Sequence, residues 1–567
     1  MKTKIFLILF TITTFCNAQI INIPDANFKA KLLEASPSNQ IASRQNPAMF
    51  NGYPIFTNYD KIDINNDNEI QLTEIQDITY LNISNDNFAN NSTITDLTGI
   101  NYFTNLYVVS AVYNSISYVD FSSNLSLMKI NLMSNNISNI NLSGLNNLKE
   151  LLLSNNHLTN INLVDLTNLK KLEIPYNNLS NLDVSNLINL KRLSCNDNYL
   201  TNLNIQDLPY LEELFCYSNQ INSIDLSNLS SLNTFRCEDN LLTSLSLSNF
   251  PNLNTINCGD NLLTILTLTN LPNLSFLGCN DNQLTTLNVS NFPNLSELHC
   301  YFNQLENIVV SQNPNLVTLL CFNNNLTSLD VSQNNILNSL DCSHNELIQL
   351  NIKNNYSNAY SYVFSDNNNL TYICSDDEDL AEIEQKIIDY GYTNCHVNSY
   401  CSFTPVGTYY TLQGNQKFDI NSNGCDSNDL IYPNLKCSIT NGTYTGTFIA
   451  NNLGSYNIPV QAGTHTVTPI IENPTYFNVA PNSFNVSFPT ATSPYNQDFC
   501  ITANGNHNDL EIILLPINQA KPGFDANYKL IYKNKGTTTQ SGTINYTFDD
   551  SVLDFVSSNP NVSSQST

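Results

Sequence analysis

Eight cysteines at a fixed spacing are the first residues in this sequence that could do chemistry. They follow one another at intervals of 21 residues, at Cys195, Cys216, Cys237, Cys258, Cys279, Cys300, Cys321 and Cys342. Such a column could bind a metal, form disulfides or fill a hydrophobic core. Metal sites need ligands that converge from several directions, and no histidine accompanies this column. Neighbouring strands about 4.8 Å apart would allow the disulfide distance, but parallel Cβ vectors disfavour the required torsion.

The same position carries Leu132, Leu153 and Ile174 in earlier segments of the chain. A free cysteine behaves as a small apolar side chain. The sequence therefore predicts eight buried core thiols.

A candidate metal site lies in the segment DINNDNEIQLTE, residues 63–74. As a twelve-position calcium loop, it places oxygen ligands at positions 1, 3, 5, 7 and 12, which are Asp63, Asn65, Asp67, the Glu69 backbone carbonyl and the bidentate Glu74. The segment resembles an EF-hand loop, except that Asn68 replaces the glycine at position 6. Asparagine tolerates the left-handed backbone needed there. No clear helix precedes the segment, so the setting is closer to a lone dockerin-like loop. We predict a structural Ca²⁺ here; the alternative is an ordinary polar turn.

A second, weaker candidate is DINSNGCDSND, which begins at Asp419. Position 12 of this loop is Leu430, which cannot be the bidentate ligand, although Asp426 or Asp429 could substitute for it. The segment resembles the Asp/Asn-rich turn of SdrD B-type and prealbumin-like modules of bacterial surface proteins. The candidate ligands are Asp419, Asn421, Asn423, Asp426 and Asp429.

Catalysis and nucleic-acid binding have little support in the sequence. The six histidines form no H-E-x-x-H motif, and neither G-x-S-x-G nor a phosphate-binding glycine loop is present. The chain has 48 acidic and 21 basic residues, and its formal net charge of −27 repels nucleic acid and anionic lipid. We therefore expect a protein that is not an enzyme and does not bind nucleic acid.

The elements that position these residues come from a repeat. Leu106 opens a unit of the form L-x-x-L-x-(L/C)-x-x-N-x-(L/I), and a leucine opens another unit at every 21st residue as far as Leu337, which makes twelve units. This pattern resembles the leucine-rich repeat family, in a short bacterial form similar to internalins. The resemblance implies an α/β-type solenoid, mostly β and coil, in which each unit adds one short parallel strand and a return segment. A column of asparagines from Asn114 to Asn345 shares the same spacing. We expect these amides to bond backbone groups between turns, because a buried amide must be hydrogen-bonded.

The chain begins with MKTKIFLILFTITTFCNAQ, which has the pattern of a signal peptide. No later stretch has the roughly 18 unbroken apolar residues of a membrane span. We therefore expect a protein that is secreted or displayed on the outer cell surface. The predicted organisation is a signal peptide at 1–18, an N-terminal cap at 19–104, the solenoid at 105–373, a C-terminal cap at 374–397, a β-sandwich at 398–505 and an incomplete second sandwich at 506–567.

Six further cysteines follow the repeats or end them, and disulfides are the default for such a set in an exported protein. A Cys374–Cys395 bridge would hold a capping helix, with Leu380, Ile383, Ile387 and Ile388 on its apolar face, over the last repeat. Pairing among Cys401, Cys425, Cys437 and Cys500 stays open.

The segment after Cys401 changes to alternating β runs broken by Gly, Pro and Asn, which indicates all-β sandwich domains. Residues 506–567 resemble the start of an Ig-like repeat of exported Bacteroidetes-type proteins, with too few strands to close it.

Binding is the function that the sequence favours. The strand face of a solenoid is an extended recognition surface, and a row of exposed aromatic side chains on it marks a contact site for a protein or glycan. The sequence leaves two alternatives to a binding function: a purely structural surface component, and the accessory region of an enzyme. The predicted ligand-binding residues are Tyr176, Phe215, Tyr217, Phe276, His299, Tyr301, Phe302 and Phe322.

Overall fold

The computed structural model describes residues 19–85, 93–356, 361–401, 409–517, 521, 523–548 and 554–560. The expected signal peptide, residues 1–18, lies outside the described residues. The chain divides into two compact units, Met1–Ser399 and Tyr400–Thr567.

The first unit is a parallel β-solenoid, which confirms the architecture expected from the repeat. Its main sheet has 15 strands, all parallel to their neighbours except the first, which is antiparallel to the second. The strands are Ala42–Ser43, Tyr80–Asn82, Val108–Ser110, Lys129–Asn131, Glu150–Leu152, Lys171–Glu173, Arg192–Ser194, Glu213–Phe215, Thr234–Arg236, Thr255–Asn257, Phe276–Gly278, Glu297–His299, Thr318–Leu320, Ser339–Asp341 and Tyr362–Val363.

Further short strands lie in the return segments. Two pairs are parallel, Tyr118–Asp120 with Asn139–Asn141 and Ser244–Ser248 with Ile265–Thr269. Four more strands form a parallel ladder near the end of the solenoid: Ser328–Asp330, Gln349–Asn351, Tyr372–Cys374 and His396–Asn398.

Strand alternation creates the core of the solenoid. Leu298 and Cys300 are fully buried, whereas Glu297, His299 and Tyr301 between and beside them are not. Paired residues of neighbouring strands lie one repeat apart, so equivalent side chains stack in columns.

All eight cysteines of the column are free and buried, which confirms their prediction as core thiols. Burial raises the pKa of every one of these thiols, to about 12 for Cys195.

The asparagine column links successive turns, as predicted. Asn261 is representative: its Oδ1 accepts the Leu242 backbone N–H at 3.0 Å, and its Nδ2 donates to the carbonyls of Cys237 and Gly259, each at 3.0 Å. One amide therefore satisfies backbone groups of its own turn and of the turn before it.

Each unit also turns through a residue with left-handed backbone, two positions after the Cys or Leu column. This conformation is unfavourable for residues other than Gly, Asn and Asp. The residues are Tyr113, Ser134, Asn155, Tyr176, Asp197, Ser218, Asp239, Asp260, Asp281, Phe302, Asn323 and His344.

Small elements close the two ends of the solenoid. At the N-terminal end, the helix Ala26–Leu33 is capped by the Asp25 side chain, which accepts two backbone N–H groups. The hairpin Ala48–Phe50 with Tyr53–Ile55, the helix Leu72–Ile75 and the 3₁₀ turn Ile100–Tyr102 complete that end.

At the other end, the expected capping helix spans Leu380–Asp389 and buries Leu380, Ile383 and Ile387. Ile388, which the sequence placed on the same face, is instead 55% exposed. It follows Ile387 by about 100° around the helix, so the two cannot both lie at the centre of one buried face.

The predicted Cys374–Cys395 bridge is wrong. Cys395 is a free, half-buried thiol, and burial raises its pKa to about 12. Cys374 and Cys401 are both disulfide-bonded. Among the cysteines whose pairing stayed open, Cys425 is bonded to Cys500, and Cys437 is free and buried.

The second unit contains two groups of strands around one hydrophobic cluster that includes Leu412, Ile439, Phe448 and Phe499. In the first group, the long strand Tyr410–Asp419 pairs with Leu430–Ile431, Ser455–Val460, Tyr495–Asn496 and Phe499–Ala503, and the last of these pairs with Phe477–Ala480. The second group is antiparallel, in the order Thr445–Ile449, Lys436–Thr440, Gly463–Ile470, Phe484–Phe488. A separate hairpin joins Leu510–Pro516 to Tyr528–Asn534.

Candidate functional site

The solvent side of the main sheet carries the residues that the sequence proposed for binding. Four positions of a unit lie on this side: those on either side of the buried strand residue, and the two that follow the Cys or Leu column. In the unit of Leu298 these positions are Glu297, His299, Tyr301 and Phe302, and none of them is buried. The strand period of two residues explains why the outward positions alternate with Leu298 and Cys300.

Five of the eight predicted aromatic residues form one contiguous surface, which we call the aromatic patch. The rings of Tyr301 and Phe322 stack in parallel, with centroids 4.5 Å apart and an interplanar angle of 5°. Phe302 meets both edge-on, at 5.9 and 5.5 Å. His299 lies 5.2 Å from Phe276 and 6.5 Å from Tyr301. The patch therefore spans three consecutive units.

Phe302 is the most exposed member of the patch, at 48%. The other four members are half-buried against each other. Because Phe302 has left-handed backbone, it projects from the turn rather than from the strand. The patch is thus a preorganised apolar surface with one prominent ring, the arrangement that interface hot spots favour.

His299 contributes an uncharged ring to the patch at neutral pH. Its Nε2 lies 3.9 Å from the Glu297 carboxylate, which favours protonation, but burial has the larger effect and lowers the pKa of His299. The contact with Glu297 is therefore not an ion pair at pH 7.

Two of the remaining predicted residues have intramolecular partners. The Arg192 guanidinium lies 4.5 Å from the centre of the Phe215 ring, and that of Arg236 lies 5.0 Å from the centre of the Tyr217 ring. Tyr176 is exposed on the same side of the solenoid. The sequence interpretation missed both arginines; the available signal was that each lies in a strand next to the one that contains or precedes its ring, with Arg192 paired to Glu213 and Arg236 paired to Phe215.

A column of aspartates adjoins the aromatic patch. Asp239, Asp260 and Asp281 occupy successive units at the left-handed turn position. Burial and the charges of Asp281 and Asp239 raise the pKa of Asp260. Burial and the charges of Asp281 and Asp260 raise the pKa of Tyr301, and the Asp281 backbone N–H donates to the Tyr301 carbonyl at 2.9 Å.

The first candidate calcium loop is ordered by its own side chains. The carboxylate of Asp63, 3% exposed, accepts backbone N–H groups of Asp67 and Asn68, and the carboxylate of Glu74, 5% exposed, accepts those of Ile64 and Gln71. Asn68 has the left-handed backbone that position 6 requires.

The rest of that loop is also fixed. The Glu69 carboxylate forms an ion pair with Lys29 at 2.7 Å. The predicted metal ligand of Glu69 is its backbone carbonyl, which this ion pair does not involve. Asp67 accepts hydrogen bonds from Glu69 and Gln71, and its pKa is lowered, mainly by the Glu69 backbone N–H. Asn65 donates to Asp67 at 2.9 Å.

The second candidate loop has one carboxylate oxygen without a partner. Asp419 is 4% exposed; its Oδ2 accepts the Gly424 N–H at 3.0 Å, whereas its Oδ1 is buried and has no hydrogen bond. Asp429 accepts the N–H groups of Ile420 and Asp426. Asn421 accepts the Asn423 N–H at 3.1 Å.

Neither loop forms a converging cluster of charged ligands. Over the described residues, no group of three or more His, Cys, Asp or Glu side chains is arranged to hold a metal ion. A calcium ion in either loop would therefore depend on amide and backbone oxygens as well as on the carboxylates.

No protein-family model matches the chain, and no curated protein matches it. Among solved structures, the functional domain of InlJ from Listeria monocytogenes, described as including a cysteine ladder, is 23% identical over 77% of this chain and 92% of its own, with a TM-score of 0.45. The internalin InlF from the same species is 24% identical over 64% of this chain and 99% of its own, also with a TM-score of 0.45. A leucine-rich repeat protein from Leptospira interrogans is 23% identical over 57% of this chain and 90% of its own, with a TM-score of 0.41. These neighbours are bacterial internalin-like leucine-rich repeat proteins.

None of the helices in the described part of the chain has the length and apolar character that a membrane crossing requires.

Proposed function

We propose that this protein is an exported or surface-displayed binding protein whose solenoid recognises a macromolecular ligand through the aromatic patch. The observation that carries this proposal is the stacked Tyr301–Phe322 pair with the exposed Phe302 at its edge. Core packing does not require these rings, because the buried positions of the same units are filled by other apolar side chains, such as Leu298, Cys300 and Val310. Large, rigid aromatic side chains contribute contact area at a small loss of conformational entropy.

The second unit serves as a spacer in this proposal. Its two groups of strands around one cluster support the interpretation of residues 398–505 as a β-sandwich. In this proposal the second unit does not contribute to the ligand site.

The test is a double substitution, Tyr301→Ala with Phe322→Ala, assayed on arrays of host-surface proteins and of polysaccharides. A matched control removes two exposed tyrosines elsewhere on the solenoid, Tyr199→Ala with Tyr210→Ala. The patch variant should lose at least about tenfold in affinity for a ligand that the parent retains, as a hot spot predicts, and the control should not.

Two outcomes would contradict the proposal. If the patch variant keeps its circular-dichroism spectrum and binds as tightly as the parent, the ligand site lies elsewhere. If the parent retains no array ligand and instead self-associates, the protein is a structural component of a surface or matrix.

The proposal includes a structural Ca²⁺ in the loop Asp63–Glu74. Its support is the pair of buried carboxylates, Asp63 and Glu74, which receive only backbone N–H donors, together with the left-handed Asn68. The nearby Arg44 guanidinium donates to backbone carbonyls of Lys61 and Glu74 instead of to these carboxylates. Bound Ca²⁺ would neutralise them and brace the N-terminal cap; Asp63, Asn65, Asp67, Glu69 and Glu74 would hold it.

The loop at Asp419 is a second candidate for Ca²⁺, supported by the unpartnered, buried Asp419 Oδ1. Asn421, Asn423, Asp426 and Asp429 would supply the other oxygens.

A further inference from the structure

At two other places on the solvent side of the main sheet, an arginine side chain contacts both an aromatic ring and a carboxylate. Arg192 lies over the Phe215 ring and forms ion pairs with Glu173 at 3.1 Å and with Glu213. Arg236 lies over the Tyr217 ring and pairs with Glu238. In both cases a guanidinium lies over a ring and pairs with a carboxylate, a combination that suits arginine better than lysine.

The aromatic patch repeats this combination without a cation. Asp281 lies in the turn next to Tyr301, because its backbone N–H donates to the Tyr301 carbonyl at 2.9 Å, and burial together with the charges of Asp281 and Asp260 raises the pKa of Tyr301. Asp281 accepts only a neutral hydrogen bond, from Asn280 at 2.9 Å. None of the ion pairs in the described part of the chain includes Asp239, Asp260 or Asp281.

The lack of a cation extends over the whole later half of the solenoid. Between Arg236 and Lys353 the sequence contains no Lys or Arg, but it contains nine carboxylates. Uniform negative charge beside apolar rings raises the free energy of the unbound surface and steers positively charged partners toward it.

The turn conformation alone does not explain the aspartates. The left-handed position is equally suited to asparagine, which occupies it at Asn155 and Asn323. A charged residue in three successive units therefore adds negative potential that the backbone does not require. Stacked strands place these carboxylates about 5 Å apart along one line, rather than converging on a point as metal ligands do.

From this arrangement, and resting on the function proposed above, we propose that the ligand of the aromatic patch is a basic polypeptide segment, whose arginine side chains stack on Phe302 and Tyr301 and pair with Asp260 and Asp281. The segment would reproduce, between two molecules, the contacts that Arg192 and Arg236 make within one. Acidic glycans and nucleic acids are repelled by the same carboxylates, and a neutral glycan would make no use of them.

The experiment measures binding of fluorescein-labelled peptides to the full chain by fluorescence anisotropy. Four peptides of equal length carry three copies of Arg, Lys, citrulline or Glu between Gly-Ser spacers; citrulline keeps the shape of arginine without its charge. We expect the Arg peptide to bind at least about tenfold tighter than the citrulline peptide and tighter than the Lys peptide. The Glu peptide should not bind, and the affinity for the Arg peptide should fall as NaCl increases.

Two matched variants test the role of the carboxylates. Asp260→Asn with Asp281→Asn should weaken binding of the Arg peptide by about tenfold and flatten its salt dependence. Asp77→Asn with Asp207→Asn makes the same change in net charge at aspartates outside the patch, and it should leave the affinity within about twofold of the parent. Asparagine keeps the left-handed turn at positions 260 and 281, so the first variant should fold normally.

Equal affinity for the Arg and citrulline peptides, or equal affinity of the two aspartate variants, would overturn the inference. If a neutral oligosaccharide such as maltohexaose binds the parent and not the Tyr301→Ala, Phe322→Ala variant, while the Arg peptide does not bind, then the proposed function stands and the basic ligand is wrong. If the aromatic variant binds every probe and array ligand as the parent does, both proposals fail.

Discussion

Replacing Asn261 with alanine is the sharpest test of how the solenoid is held together. The Asn261 Nδ2 group donates to three carbonyls, those of Cys237, Cys258 and Gly259, and Oδ1 accepts the Leu242 N–H. The substitution removes all of these contacts at once.

The size of the effect depends on which groups keep another partner. The Cys237 carbonyl still accepts from Asn240, and the Cys258 carbonyl still accepts from Asn282. The Gly259 carbonyl still accepts the Asp239 N–H. The buried Leu242 N–H loses its side-chain acceptor. An unsatisfied buried donor costs about 1–3 kcal/mol, and each of the two hydrogen bonds that the two Nδ2 hydrogens can make at one time contributes about 0.5–1.5 kcal/mol. Asn261→Ala should therefore lower the free energy of unfolding by roughly 2–6 kcal/mol.

Urea unfolding, followed by circular dichroism, measures this difference. Asn261→Asp should be at least as destabilising, because a carboxylate oxygen would face carbonyl oxygens where Nδ2 donates now. The control is Asn273→Ala, since Asn273 donates to Pro251 from an exposed position, and it should change stability by less than about 1 kcal/mol. If Asn261→Ala unfolds at the same urea concentration as the control, the asparagine column does not hold the turns together.

Three further predictions follow from the core, the acidic column and the calcium loop. A thiol reagent should label none of the eight column cysteines in the native protein and all of them after denaturation, and Cys258→Ser should cost about 1–3 kcal/mol because it buries a hydroxyl; rapid native labelling would contradict a core role. The pKa of Asp260 is raised in the fold, so its ionised form destabilises the folded state at neutral pH and this penalty disappears as the pH falls below the ordinary value of 3.8. Asp260→Asn should therefore raise the melting temperature at pH 7, with a gain that shrinks toward pH 3; a gain independent of pH would refute this assignment. Glu74→Gln should abolish any rise in melting temperature that Ca²⁺ gives the parent relative to chelator, whereas a parent that melts identically with and without Ca²⁺ has no calcium site in this loop.

The repeat allowed much of the first unit to be predicted from the sequence. The cysteine column replaces Leu132, Leu153 and Ile174, so its burial followed from position alone, and the asparagine column required partners that only a neighbouring turn could provide. These predictions succeeded because strand alternation and a fixed repeat length determine both the face and the neighbour of each residue.

Predictions that depended on side-chain direction or on long-range pairing were less successful. Ile388 follows the apolar pattern of the capping helix but points to solvent. The pairing of Cys374 with Cys395 was inferred because the two residues flank the capping helix that a bridge would hold, yet Cys395 is a free thiol. Spacing cannot specify a disulfide, because the bond needs the two Cβ atoms to meet in space with suitable vectors.

By itself, the sequence determined the solenoid, its core columns and the set of residues that face outward, because each depends only on a local period and on burial. The tertiary structure decided how the outward residues group. In the structure, Phe215 and Tyr217 contact arginines of the same chain. Tyr301, Phe302 and Phe322 form one patch. Asp260 and Asp281 lie beside that patch. These groupings depend on rotamers and on distances between neighbouring turns, which a 21-residue period leaves undetermined.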